Sequence, residues 1–342
     1  MLAMRCYFFL FAICLGTTCF GQQEVTSVDF FGLRTLSQQQ LEQALGLTAG
    51  VASVADIKEL KRRVLELENI EDASVAPIHF PGNLALFIGV QEKGQASTRF
   101  RAAPIGDITL RAELVRDYNE TMELLLPAIK NGQAGEDRSA GHAISEYEAM
   151  RDKQTQFIQV ANEEFDTLAQ VIRESSDADS RTAAACILAY ADDKRKVIDE
   201  LTIAADDADA GVRNNAVRAL SILATYAYTN PDLGLVVNPK PFLQLLGSLT
   251  WTDRNKGAAV LDSLSQQRDP ELLAALRATS LTEVEEMARW KSNGHCLFSI
   301  RILARLAGQS EDEIQNRAKA SKNHEDRMLW VDELMEQIEQ PQ

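Results

Sequence analysis

Val25-Thr26-Ser27-Val28-Asp29-Phe30-Phe31-Gly32 opens the stretch whose reading decides the fold, and Phe87-Ile88-Gly89-Val90-Gln91-Glu92 closes it. Between these ends the chain spells strand, helix, helix, strand, strand. Val25 to Phe30 alternates as a strand and stops at Phe31-Gly32. Leu36-Ser37-Gln38-Gln39-Gln40-Leu41 opens a helix, with Ser37 placed to cap it and Gln40 to complete a capping box. Gly46 stops that helix and Gly50 turns the chain. A second helix is predicted from Ser53, with Ile57, Leu60, Val64 and Leu67 on one face. Ile70 to Phe80 reads as the second strand, Pro81-Gly82-Asn83 as a tight turn, and Leu84 to Gln91 as the third. Leu84, Leu86, Ile88 and Val90 alternate, which predicts one sheet face buried under the helices.

This order of elements, with Val28-Asp29-Phe30-Phe31-Gly32 and the terminal V-x-E of Val90-Gln91-Glu92, resembles a POTRA domain, an extracytoplasmic module of outer-membrane barrel assembly, secretion and cell division. The resemblance spans about a fifth of the chain and implies no catalytic chemistry. It implies binding by strand addition, in which an extended partner pairs with a free sheet edge. On that reading the second strand is the edge, and Ala73, Ser74, Val75 and Ala76 are the candidate partner-binding residues. Pro77 suits an edge position, since proline cannot donate to a central ladder, and it also blunts the edge against unwanted pairing.

Residues 1–21 read as a secretory signal peptide: Arg5, an apolar run from Cys6 to Leu15, and small residues before Gln22. Retention as an anchor is the rival reading, but the run is shorter than the roughly 20 residues that span a bilayer. The expected destination is the periplasm, with no membrane insertion after cleavage. The 35 basic residues face 50 acidic ones, a net charge of −15, so nucleic acid and anionic lipid are poor partners. Three of the five cysteines lie in the signal, and Cys186 and Cys296 read as separate buried thiols in helices.

Beyond a linker at 95–107, the chain is helical. Residues 108–163 form a connecting region: a helix from Leu110 to Asn131, a flexible loop to His142, and a long helix from Ser145 that continues to Glu174. Over 164–342 the chain repeats itself. Asp177 to Tyr190, Ala208 to Thr225 and Thr252 to Leu264 each run from a polar start through an arginine (Arg181, Arg213, Arg254) into an apolar helix, and each follows another amphipathic helix. Asp209-Ala210-Gly211-Val212-Arg213-Asn214-Asn215-Ala216 carries the clearest copy, and the series resembles degenerate HEAT repeats. A last helix, Glu325 to Glu339, suits a terminal cap. The expected fold class is thus an α+β module at 22–94 followed by an all-α, HEAT-like solenoid.

Candidate chemistry is sparse. Asp206-Asp207-Ala208-Asp209 superficially suggests a calcium loop, but Arg218 stands where an EF-hand needs glutamate, so the aspartates are read as helix caps. His295-Cys296 is read as core, and the sequence implies no metal, no cofactor and no catalytic residue. The expected function is non-enzymatic: an adaptor or scaffold of the bacterial cell envelope that takes a protein or peptide partner on the sheet edge and the repeat surface. The alternative is an envelope enzyme or enzyme-maturation factor with its site in the loops 132–143 or 226–240. For that class, Asp137, Arg138 and His142 would have to converge.

Overall fold

A computed structural model describes residues 24–46, 52–53, 57–80 and 83–340 of the chain. The signal reading and the turns at Gly50 and Pro81-Gly82 lie outside the described residues. The chain divides into two units. One runs from Arg99 to Phe242, and the other joins the residues up to Thr98 with those from Leu243 onward. The expected partition kept 22–94 apart from a repeat array at 164–342. In the structure the C-terminal part of that array belongs with the sheet, because the sheet has two apolar faces to bury.

In the sheet-containing unit, β1 (Glu24–Phe31), α1 (Gln38–Ala44), β2 (Ala52–Ser53), α2 (Ile57–Leu65), β3 (Ile70–Phe80) and β4 (Asn83–Glu92) follow in order. Position 53 lies in a short strand, and the second helix starts at Ile57 instead. The sheet order is β2-β1-β4-β3, with β1 parallel to β4 and β3 antiparallel to it, so β3 is an edge. Ser37 caps α1 through the full capping box with Gln40. Val28 and Phe30 of β1 and Leu84, Leu86, Ile88 and Val90 of β4 are buried with Leu41, Leu60 and Val64 of the two helices. Glu92 is buried and accepts from the backbone N–H groups of Arg34 (2.8 Å), Thr35 (2.9 Å) and Leu36 (3.0 Å). Burial alone would raise its pKa, but these donors and the Thr35 hydroxyl hold it below the ordinary carboxylate value. The terminal glutamate thereby fixes the turn between β1 and α1.

The opposite face is covered as well, which the alternation in β4 did not predict. Helices α11 (Trp251–Ser265), α12 (Pro270–Thr279), α13 (Leu281–Ala288), α14 (Asn293–Leu306), α15 (Glu311–Ala320) and α16 (His324–Glu339) complete this unit, after α10 (Lys240–Leu246) at the division. Phe87 of β4 lies 4.8 Å from the Trp251 ring, 5.1 Å from Trp290 and 5.6 Å from His295. A Cβ at Gly89 would come within 2.3 Å of the Phe31 ring, so only glycine lets β4 lie this close. His295 is held by these aromatics and by the Ser292 hydroxyl at 2.9 Å from Nδ1, and burial lowers its pKa to about 4. Cys296 is a free thiol, as is Cys186, and burial pushes each up to about 11, far from thiolate chemistry.

Asp29 sits on this covered face, 4% exposed, with one oxygen accepting from the Lys291 N–H at 2.8 Å and the other unpartnered among the described residues. Burial raises its pKa to about 6 in spite of Lys291 and Arg327. A carboxyl raised on folding favours the folded state fully below about pH 4 and loses that contribution as pH rises through about 6. Asp29→Asn is therefore expected to stabilise the protein by about 1–3 kcal/mol at about pH 8 and to give no gain near pH 4. Urea denaturation at the two pH values measures it.

The other unit contains α3 (Ala112–Glu123), α4 (Leu125–Lys130), the two-residue strands β5 (Glu136–Asp137) and β6 (Ile144–Ser145), α5 (Glu148–Glu163), α6 (Phe165–Glu174), α7 (Ala178–Leu188), α8 (Lys194–Ala204) and α9 (Ala210–Thr229). The helix expected over 110–131 breaks at Leu124, and the one expected over 145–174 breaks at Glu164, whose φ of −118° and ψ of 23° are not helical. Segment 226–240 starts as the end of α9 and continues through a 3-10 turn at Pro231–Leu233. Helices α6 and α7 form one pair and α8 and α9 the next, with α7 stacked on α9 and α6 on α8.

The repeat is visible in hydrogen bonds. Ser175, Asp207 and Ser248 each accept, through the side chain, from the backbone N–H two residues ahead. Arg181, Arg213 and Arg254 each donate to the carbonyl of that same residue, six positions back. Asp177, Asp193 and Asp209 cap α7, α8 and α9, the last as read from the sequence. Asp207 has a further role as the buried partner of Arg181, at 2.8 and 3.0 Å.

The segment expected as a linker is pinned to the helix ends. Arg101 donates its N–H to the Asp206 carbonyl at 2.9 Å and its guanidinium to Asp207 and the Ile172 carbonyl. The Phe100 ring lies under the Arg213 guanidinium at 3.7 Å. Gly106 bonds Glu174 and Ser176 on either side, each at 2.8 Å, and a Cβ there would fall 2.6 Å from the Glu174 carbonyl oxygen. Gly106→Val is expected to lift this strip from the helices, costing about 1–3 kcal/mol. Limited proteolysis should then cut within 99–107, and the native chain should resist there.

Candidate functional site

Three places answer to the sequence expectations. The first is the edge strand. Ala73, Ser74, Val75 and Ala76 lie on β3 and pair only with β4, opposite Val90, Gly89, Ile88 and Phe87. Ala73 is buried, and Val75 packs on the core under the helices. The Ala73 N–H turns to the Asp72 carboxylate at 2.7 Å, which places it on the outer side of the strand. Antiparallel alternation puts the backbone of Val75 and Pro77 on that side too. Between 73 and 77 the outer side thus has one N–H bound by its own chain, one replaced by proline, and one, at Val75, left to offer. The edge presents carbonyls and little else, a poor template for strand addition.

The second is the loop of the enzyme alternative. The expected flexible loop is a hairpin, β5 and β6, fastened at two points. Glu136 pairs with Arg138 at 2.7 Å and with the half-buried Arg218 of α9. His142 Nδ1 stands 2.9 Å from the Lys194 ammonium, which also donates to the Ala191 carbonyl at 2.7 Å. Burial and then Lys194 lower His142 to about 4, and burial lowers Lys194 to about 8, so the lysine donates to a neutral imidazole at neutral pH. Asp137 is occupied by the Ser139 N–H at 2.9 Å. Every group here is tied to a structural partner, and the cluster serves as a clasp on α8 and α9.

The third place was not singled out in the sequence. Helices α6 and α8 leave an open cleft of about 390 Å³ between them. Phe165 and Ala169 line it together with Asp166, Glu174 and Asp199. The Arg173 guanidinium is committed to the buried Glu200, with Nε 2.8 Å from Oε2. Lys196 lies 5.9 Å above the Phe165 ring. Asp166 and Asp199 are exposed and have no cationic partner among the described residues, so the cleft carries an excess of negative charge. The other side of the same stack is closed: α3 and α5 pack on α7, and Asn215 of α9 donates to the Tyr118 hydroxyl at 2.9 Å. Among the described residues the α6–α8 side is open, while the chain itself fills the α7–α9 side.

Among the described residues no three His, Cys, Asp or Glu side chains converge as a metal-binding group, and no helix is long and apolar enough to cross a membrane. No protein-family model matches the chain, and comparison with curated proteins finds no match. Among solved structures, the chain is similar to a computationally designed armadillo-repeat protein for modular peptide recognition. The likeness has 15% identity and a TM-score of 0.37, and covers 66% of this chain and 98% of that one. The helical-repeat description rests on the hydrogen-bond periodicity above.

Proposed function

We propose that this chain is a non-enzymatic, protein-binding adaptor of the bacterial cell envelope, exported to the periplasm, which seats a segment of a partner protein in the α6–α8 cleft. The observation that carries the reading is the cleft itself, an open groove lined by Phe165 on the face of the repeat stack that the described residues leave uncovered. The POTRA-like order of elements at 22–94 supports the envelope setting, with the β3 edge as a subordinate contact. Photo-crosslinking in a native envelope fraction tests it, using the full exported chain with a benzophenone side chain at Gln170 in the cleft or at Ser74 on the edge. A discrete protein adduct at Gln170 is expected. No adduct at either position would sink the adaptor reading.

A further inference from the structure

The cleft has a chemistry that selects among proteins. Four carboxylates line it, Asp166, Glu174, Asp199 and Glu200, against two cations, Arg173 and Lys196, and Asp166 and Asp199 have no ion-pair partner among the described residues. Arg173 is consumed by Glu200, and Lys196 stands over one side of the Phe165 ring, so the balance of the lining stays negative. Next to the strip that bonds Glu174 is an exposed apolar group that does not itself line the cleft. Ile105 is 95% exposed, although its neighbour Gly106 is bonded on both sides to Glu174 and Ser176. An isoleucine on a mobile loop would mean nothing. This one is held out from a backbone fixed to Glu174, one of the residues that line the groove.

We infer that the occupant of the α6–α8 cleft is a cationic amphipathic segment of a partner protein, whose Lys or Arg side chains face Asp166 and Asp199 and whose apolar side chains lie on Phe165 and against Ile105. The inference rests on the adaptor reading and specifies its partner. Charge complementarity excludes the competing occupants. A second copy of this chain brings a net charge of −15, and nucleic acid and anionic lipid are repelled on the same ground. Neutralising carboxylates on an open surface contributes modestly per pair and is weakened by salt. The apolar contacts must therefore supply the remainder of the affinity, as the exposed Ile105 does here.

The test uses the full exported chain and three labelled synthetic peptides, Lys/Leu amphipathic, Lys/Ser and Glu/Leu, followed by fluorescence anisotropy at low and moderate salt. The Lys/Leu peptide is expected to bind more tightly than either of the others, with affinity falling as salt rises. The double variant Asp166→Lys, Asp199→Lys should weaken it about tenfold, and Ile105→Ser about threefold. Asp312→Lys, an exposed charge reversal on α15, should change nothing. Equal weakening by Asp312→Lys would overturn the inference by making the attraction a matter of net charge. Equal binding of the Glu/Leu peptide would overturn it by making the cleft merely apolar. A partner adduct at Gln170 together with no Lys/Leu binding would discard the cationic segment and keep the adaptor. Absence of both would discard the two together.

Discussion

Replacing Asp207 by alanine is expected to cost about 3–5 kcal/mol, the largest effect of any single substitution in the Arg99–Phe242 unit. The carboxylate is fully buried and holds Arg181, itself 2% exposed, through two hydrogen bonds, while also accepting from the Asp209 N–H at 2.9 Å and from Arg101. Alanine leaves the Arg181 guanidinium buried with only the Ser175 carbonyl as partner. The loss comes from that uncompensated charge more than from the missing attraction, so the double variant Asp207→Leu, Arg181→Met should recover much of it. Burial would raise the pKa of Asp207, but the donors from Arg181, Asp209 and Arg101 outweigh it and hold the group below its ordinary value. A carboxylate lowered on folding stabilises the protein above about pH 4, and that contribution is lost as pH falls through the folded value. Denaturation midpoints of the three proteins at neutral pH check the prediction. A single-variant loss under about 1 kcal/mol would refute it.

Glu286→Ala should have a comparable effect, about 3–4 kcal/mol, in the sheet-containing unit. Glu286 on α13 accepts from the Gly32 N–H at 2.7 Å and the Leu33 N–H at 3.2 Å, and pairs with the buried Arg254 at 2.8 Å. Gly32 has φ of +83°, and a Cβ there would lie 2.0 Å from the Val90 carbonyl oxygen, so the turn cannot move to find another acceptor. One carboxylate thus joins the end of β1 to the helical layer. Glu286→Gln keeps an acceptor for the turn but no charge for Arg254, and should fall between wild type and alanine. Calorimetry of the full chain measures the order. An alanine variant as stable as the glutamine one would show that the turn donors contribute nothing.

The element order of 25–92 was legible because each joint has a local signal: the capping box at Ser37, the alternation of Leu84 to Val90, and Pro77 at the edge. The second buried face was not. Ala85, Phe87 and Gly89 are small or aromatic, a pattern compatible with solvent on one side, and their cover comes from Trp251 and Trp290, more than 150 residues later. Periodicity reports which face is apolar and says nothing of what meets it. The break at Glu164 was hidden because Phe157, Ala161, Phe165 and Leu168 keep helical spacing across it. Asp207 was read as a cap because caps are local, whereas its true partner Arg181 belongs to the preceding helix pair. The cleft was invisible for the same reason: Phe165 and Asp199 become neighbours only once α6 and α8 stack.

A sheet covered by the last hundred residues of its own chain sets the order of events during synthesis. β1 and β4 come early in the chain, and their inner face needs only α1 and α2 to close. Phe31 and Phe87 then wait uncovered until Trp251, Trp290 and His295 have been made, with the whole Arg99–Phe242 unit emerging in the interval. Non-local closure of this kind is slow, and an apolar face held open for that time invites holdases and misassociation. A nascent chain halted before Trp251 would expose an aromatic sheet face that the finished protein keeps buried.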